Sequence, residues 1–218
     1  MGEIQLGIPL ETALFLSQKL SLKTFVEGGT FEGATAITAA PHFKKVFTIE
    51  KSEAMHATAV RNLNGKKTIT LLKGDTREHL PALLKEHNDF LFWLDAHWSG
   101  NLTYGEGDEC PLIEELKMIF ASKRNFAIMI DDARMFLAPP PLPHVATSWP
   151  NVKKIVSVMP DNYDLYVFQD VIYVFPVEAG DAFRDFLQKM VTDDFNKKNV
   201  PPGLATKIKG KMRSLLKG

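Results

Sequence analysis

Carboxylates recur in this sequence at the ends of short apolar runs. Glu27 precedes Gly28 and Gly29, Glu50 closes KKVFTIE, and Asp75 follows Gly74; Asp95 stands two residues before His97, and Asp131 and Asp132 are adjacent. An acid beside a Gly-rich turn repels a phosphate a few Å away in a partly buried cleft, and attracts a ligand bearing an amino or sulfonium cation. Glu27 also admits the plainer account of a solvated residue in a structural turn. Glu50 lies 21 positions after Gly29, an offset at which an acid can accept both hydroxyl protons of a ribose. Asp75 could accept from an adenine amino group, cap the helix expected from Thr76, or do both. The dinucleotide fingerprint G-x-G-x-x-G fails because its third position, counted from Gly28, is Thr30. Asp95, Asp131 and Asp132 would repel one another in a cleft unless a cation or proton sat among them. Hard oxygen donors of this kind suit Mg²⁺ or Ca²⁺ rather than a soft metal. His97 is the nearest group that titrates near neutrality, which makes it the candidate general base, with a structural imidazole as the alternative.

These residues need elements to hold them. A first helix is expected at 10–20. TFVEGG (24–29) reads as a buried strand broken by glycines, with a helix from about 32 that Pro41 ends. KKVFTIE (44–50) is a second strand, followed by a helix over 52–63 capped by Ser52. TITLLKGD (68–75), DFLFWLDAH (89–97) and NFAIMIDD (125–132) are three more strands, with helices over 76–87 and 114–123. Five β-α units in a row imply a parallel sheet covered by helices on both faces. LYVFQDVIYVFPV (165–177), broken at Gln169-Asp170, reads instead as a hairpin. The expected fold class is therefore α/β: a Rossmann-like, doubly wound, mostly parallel seven-stranded sheet with an antiparallel C-terminal hairpin. Ligands on such sheets bind at the carboxyl ends of the strands, where the acids are.

Glu27-x-Gly29-x-x-x-Gly33, Glu50 and Asp75 at three successive strand ends resemble the cofactor site of the class I S-adenosylmethionine (SAM)-dependent methyltransferases. The resemblance covers roughly residues 22–177. It implies SAM as cofactor, with Glu27, Gly28, Gly29, Thr30 and Gly33 around its methionine part, Glu50 on the ribose, and Asp75, Thr76 and Asp95 completing the pocket. The acids after strands four and five are similar to those of metal-dependent small-molecule O-methyltransferases of the catechol and macrocin type. That likeness implies Asp95, Asp131 and Asp132 as Mg²⁺ ligands, and a hydroxyl whose pKa the metal lowers. Two departures stand out: Trp98 occupies the place of the catechol enzyme's lysine base, and Asp132 that of an asparagine. The implied reaction is methyl transfer to a hydroxyl oxygen of a small molecule (a sugar, polyketide or phenol), with Asp95 and His97 in the catalytic roles. A metal-independent methyltransferase of protein or RNA and a non-catalytic SAM-binding module are the rivals; an NAD oxidoreductase is the least expected.

Composition bounds the remainder. The 26 Lys+Arg balance the 26 Asp+Glu, which excludes a whole-surface nucleic-acid footprint. With 45% apolar residues the chain can build a sizeable core. The lone Cys110 excludes a disulfide framework and fits a reducing compartment, so cytoplasmic location is expected. No apolar run approaches the ~20 residues of a membrane span, and MGEIQLGIPLE lacks the features of a secretory signal. One domain is expected, its catalytic part over 1–178 and a helical extension over 179–218. Residues 195–218 hold seven cations and no acid, leaving 19 cations against 26 acids in the rest. Leu204, Ile208, Met212 and Leu215 recur there at helical spacing, predicting an amphipathic helix over 203–217. It could pack on the acidic body, bind a partner subunit as in a homodimer, or touch an anionic surface. SGNLTYGEGDECP (99–111) and ARMFLAPPPLPH (133–144) would overhang the substrate end of the cleft. Tyr104, Glu106, Asp108 and Glu109 are candidates to contact substrate, and Trp98, Phe136 and His144 to wall it.

Overall fold

A computed structural model describes residues 7–98 and 107–199. The chain divides into two compact units, Met1–Ala179 and Gly180–Gly218. The first carries all seven strands, in the order β3-β2-β1-β4-β5-β7-β6. These are β1 (Thr24–Gly28), β2 (Lys45–Glu50), β3 (Ile69–Lys73), β4 (Asp89–Leu94), β5 (Asn125–Ile130), β6 (Tyr163–Phe168) and β7 (Val171–Pro176). Strands β1 to β5 pair in parallel, whereas β7 runs antiparallel to both β5 and β6. The expected parallel sheet with a C-terminal hairpin is what the chain forms.

Every residue of β1 is buried, as are five of the six in each of β4, β5 and β7. Such strands read as continuous apolar runs because helices cover the sheet on both faces. Helices α1 (Leu10–Leu20), α2 (Ala34–Ala39), α3 (Glu53–Asn62), α4 (Thr76–Glu86) and α5 (Leu112–Ala121) supply that cover. The core they enclose is strongly aromatic: Phe90 and Phe92 stack at 5.1 Å, and Phe126 meets Phe92 edge-on at 6.2 Å. Short helices α6 (Arg134–Leu137) and α7 (Val152–Val156) fill the β5–β6 connection. The second unit contributes α8 (Gly180–Asn199), braced along its own surface by Lys189–Asp193 and Lys198–Asp194 pairs one turn apart. The predicted helix at 203–217 lies outside the described residues. No helix among them is long and apolar enough to cross a membrane.

Winding outward from β1 to β3 and then back through β4 and β5 makes the β1/β4 border the switch point, where a crevice opens beyond the strand ends. Register aligns those ends. Gly28 pairs with Ile49 on one side and Leu94 on the other, while Glu50 pairs with Lys73 and Leu94 with Ile130. The residues that follow, Gly29, Lys51, Gly74, Asp95 and Asp131, therefore emerge along one edge. Backbone hydrogen bonds continue past the strands: Gly29 N–H to Ile49 C=O, Gly74 N–H to Glu50 C=O, and Asp95 N–H to Gly28 C=O.

Candidate functional site

The β1–α2 turn is shaped by sterics. Gly29 has φ +89°, and a Cβ there would lie 2.3 Å from the carbonyl oxygen of Asp95, so no other residue lets β1 and β4 close up at this point. Beneath the turn, Glu27 is fully enclosed. Thr48 Oγ1 donates to Glu27 Oε2 at 2.5 Å, and Thr30 Oγ1 meets Thr48 Oγ1 at the same distance. Burial, reinforced by the charges of Asp95 and Glu50, lifts Glu27 to about 8 against the pull of the Thr48 bond.

Above the turn lies a cavity of about 290 Å³ lined by Gly29, Glu50, Asp75, Thr76, Asp95 and His97, all expected site residues, by Asp108, expected to contact substrate, and by Phe31, Lys51 and Arg77. Glu50 is locked: Oε2 accepts the Phe31 N–H at 2.8 Å and Oε1 the Ser52 N–H at 2.7 Å. Each oxygen keeps a second lone pair for a ligand hydroxyl. Phe31 has φ +50° and an exposed ring at the cavity rim. Glu27, Gly28, Thr30 and Gly33 do not line the cavity; they build the turn from below.

Asp75 is more heavily engaged than its sequence position suggests. It caps α4 reciprocally with Glu78, and its carboxylate pairs with Lys51 at 2.9 Å and Arg77 at 2.7 Å. Despite partial burial, the Arg77 and Lys51 bonds hold it far below the usual carboxylate range. Arg77 also pairs with Asp108, so the end of the β4–α5 connection is tied to the α4 N-terminus. Lys51 and Arg77 were not among the expected site residues, although Lys51 directly follows Glu50 and Arg77 lies two residues beyond Asp75.

His97 sits where this cavity meets a second one of about 420 Å³, lined by His97, Trp98, Asp132, Arg134, Met135, Pro139, Pro141 and His144. Its Nε2 lies 2.8 Å from Asp132 Oδ2 and 3.5 Å from Asp95 Oδ1. The ring packs edge-on against Trp149 at 5.1 Å and Phe136 at 6.4 Å. Burial pulls the imidazole pKa down, but the Asp132 bond and the Asp95 charge outweigh it and leave it raised. Asp132, against its own burial, is held down to about 2 by His97 and by Arg134, whose Nη1 lies 2.7 Å from Oδ1. Burial raises both Asp95 and Asp131, and the charge of Asp132 adds to it at each, with that of Asp95 also acting on Asp131.

Trp98 and His144 wall the second cavity as expected, whereas Phe136 is buried beneath His97. Glu109 does not face substrate. It is buried and takes the Trp149 indole N–H at 2.7 Å, the Val145 N–H at 3.0 Å and His144 Nδ1 at 3.3 Å, thereby fixing that wall. Tyr104 and Glu106 lie outside the described residues.

The three acids implied as Mg²⁺ ligands do not present a vacant oxygen cage. Asp132 has one oxygen on His97 and the other on Arg134, and Asp131 Oδ1 accepts the Asp132 N–H at 2.7 Å. Among the described residues, no group of three His, Cys, Asp or Glu is arranged to hold a metal ion. The donor set does not fit a divalent cation.

No protein-family model matches the sequence, and no curated protein matches it. Solved structures do match its architecture. The O-methyltransferase TomG from Streptomyces achromogenes, in complex with SAM, superposes with a TM-score of 0.54 at 14% identity, over 78% of this chain and 80% of that one. The SAH-bound Podospora anserina methyltransferase PaMTH1 gives 0.54 at 17% identity over 78% and 80%. The Bacillus cereus O-methyltransferase in complex with SAH gives 0.54 at 14% over 77% and 80%. The chain shares the fold of these methyltransferases. In this fold the 290 Å³ cavity lies at the switch point, beyond the carboxyl ends of β1, β2, β3 and β4.

Proposed function

We propose that the chain transfers a methyl group from SAM to a hydroxyl oxygen of a small molecule. The observation that carries this is the meeting of two cavities at one histidine: His97 lines both the Gly29–Glu50–Asp75 cavity and the cavity walled by Trp98 and His144. The first takes the cofactor. Glu50 offers two lone pairs to ribose hydroxyls, and Asp95, which lines this cavity, favours a cationic ligand near the Gly29 turn. The neighbours that hold SAM or SAH in this fold support the same assignment. Asp75, already paired with Lys51 and Arg77, shapes the adenine end more than it reads it.

The second cavity takes the acceptor. Asp132 on Nε2 keeps the proton of a neutral imidazole on that nitrogen, so Nδ1 is the atom that receives the acceptor's proton. As the acceptor O–H bond breaks, its oxygen lone pair forms the bond to the methyl carbon, and the carbon–sulfur electron pair stays on sulfur as a neutral thioether. Holding the oxygen in line behind the methyl is the main task of the two cavities. Mg²⁺ assistance, implied by the catechol and macrocin resemblance, finds no support in the donor set. Calorimetric titration with SAM, with NAD⁺ as control, tests the cofactor assignment: micromolar SAM binding without NAD⁺ binding is expected. A protein that binds SAM but methylates nothing in a broad panel of hydroxylated acceptors would be a binding module instead.

A further inference from the structure

The carboxylates at the ends of β4 and β5 receive positive charge from the chain itself. Arg134 Nη1 stands 2.7 Å from Asp132 Oδ1. The same guanidinium pairs on its other side with Asp170 Oδ2, and the Arg134 N–H donates to Asp170 Oδ1 at 2.9 Å. Asp170 is itself anchored, its carbonyl accepting the Ala133 N–H at 2.8 Å. It belongs to the tight β6–β7 turn, where Gln169 and Asp170 both have positive φ, 47° and 63°. Asp132 shares that strained backbone region at φ 56°. Two carboxylates from distant parts of the chain thus clamp one guanidinium, which still lines the second cavity beside His97, Trp98 and His144.

A divalent ion needs several converging oxygens at about 2.0–2.6 Å. At Asp132 it would meet the guanidinium already on Oδ1 and would have to displace His97 from Oδ2. We infer that Arg134 is the built-in cation of this site: clamped between Asp132 and Asp170, it supplies the positive charge that a divalent ion supplies in metal-assisted oxygen methylation. The acceptor then engages through a single hydroxyl and needs no neighbouring hydroxyl for chelation. The role in catalysis rests on the methyl-transfer reading above, but the charge arrangement does not.

The test therefore uses the metal alone. Mn²⁺ is titrated into the full-length protein, and bound ion is read from the loss of the free-ion EPR signal, for wild type, Arg134→Lys and Arg134→Gln. SAM affinity is measured by calorimetry on the same samples. Wild type and Arg134→Lys are expected to leave Mn²⁺ free. Arg134→Gln is expected to bind it at least about tenfold more tightly, the effect of removing a cation from within a few Å of carboxylates. One Mn²⁺ per wild-type chain at micromolar concentration overturns the proposal, as does a folded Arg134→Gln that binds no more tightly than wild type. Should Arg134→Gln fail to fold by circular dichroism, the wild-type and Arg134→Lys titrations decide. Absence of SAM binding with Mn²⁺ still excluded sinks the methyl-transfer reading and leaves the built-in cation standing; SAM binding with tight Mn²⁺ binding does the reverse.

Discussion

The carbonyl oxygen of Asp95 lies where the side chain of any residue but glycine at position 29 would begin, 2.3 Å from an ideal Cβ. This contact brings the β1 turn against the β4 end, and it places Asp95 in the same cavity as Gly29. Gly29→Ala must either open that seam or move the turn out of its left-handed backbone. A loss of about 2 kcal/mol or more in urea denaturation is expected, with SAM binding abolished. Unchanged stability and affinity would show that the two strand ends do not need this approach.

Glu27 has the opposite character, a group the fold tolerates at a cost. Its pKa rises from 4.5 when unfolded to about 8 when folded. Between these values the folded state holds a proton that the unfolded state has released, so rising pH erodes stability by up to about 1.4 kcal/mol per pH unit. Glu27→Gln carries no such titration. Its melting temperature relative to wild type should climb between about pH 5 and pH 8. A constant difference across that range would mean that Glu27 is ionised in the folded protein.

His97 and Asp132 couple with opposite signs. The raised His97 pKa contributes stability that is full below about 6.5, the unfolded value, and is lost as pH rises through the raised one. The lowered Asp132 contributes stability above 3.8 that is lost as pH falls through about 2. Asp132→Asn removes the partner that raises His97 and should shift the acidic limb of the pH–rate profile to lower pH. Replacing His97 with Gln should lower kcat by about 10²–10⁴-fold with SAM affinity retained. Full turnover in His97→Gln would move the base elsewhere.

Glu109→Gln tests the wall of the second cavity. Gln retains one acceptor oxygen but sets an amide N–H₂ among the Trp149, Val145 and His144 donors, at a cost of about 1–3 kcal/mol. Despite burial, the Trp149, Val145 and His144 bonds hold Glu109 below 4.5. Its contribution is therefore present above that pH and lost on acidification. A red shift in tryptophan fluorescence should accompany the loss; identical spectra and melting would mean that Trp149 is held by other contacts.

The elements were legible because the central strands are largely apolar runs and α3 and α4 carry N-terminal cap residues. Ser52 and Asp75 cap α3 and α4 as their positions suggested, and Gln169-Asp170 does form the hairpin turn. Helix α5 begins at Leu112, two residues before the expected 114, because Pro111 stands immediately before its first turn. The short α7 went unread: five residues carry too little periodicity. The strand-end acids were legible too, since position alone sends them to one edge. Their partners were not. Glu109 finds Trp149 40 residues away, and Arg134 finds Asp170 36 residues away. Such pairings depend on how the β5–β6 connection folds back, and no local pattern announces them.

The tether between Asp170 and Arg134 also sets an order of completion. Every described residue lining the first cavity falls between Gly29 and Pro111, but the clamp on Arg134 waits for the β6–β7 turn. A ribosome would finish the residues of the first cavity well before the second could take its final shape. For an engineer, the hairpin is accordingly a handle: grafting a different turn at 169–170 would reshape the second cavity while leaving the first untouched.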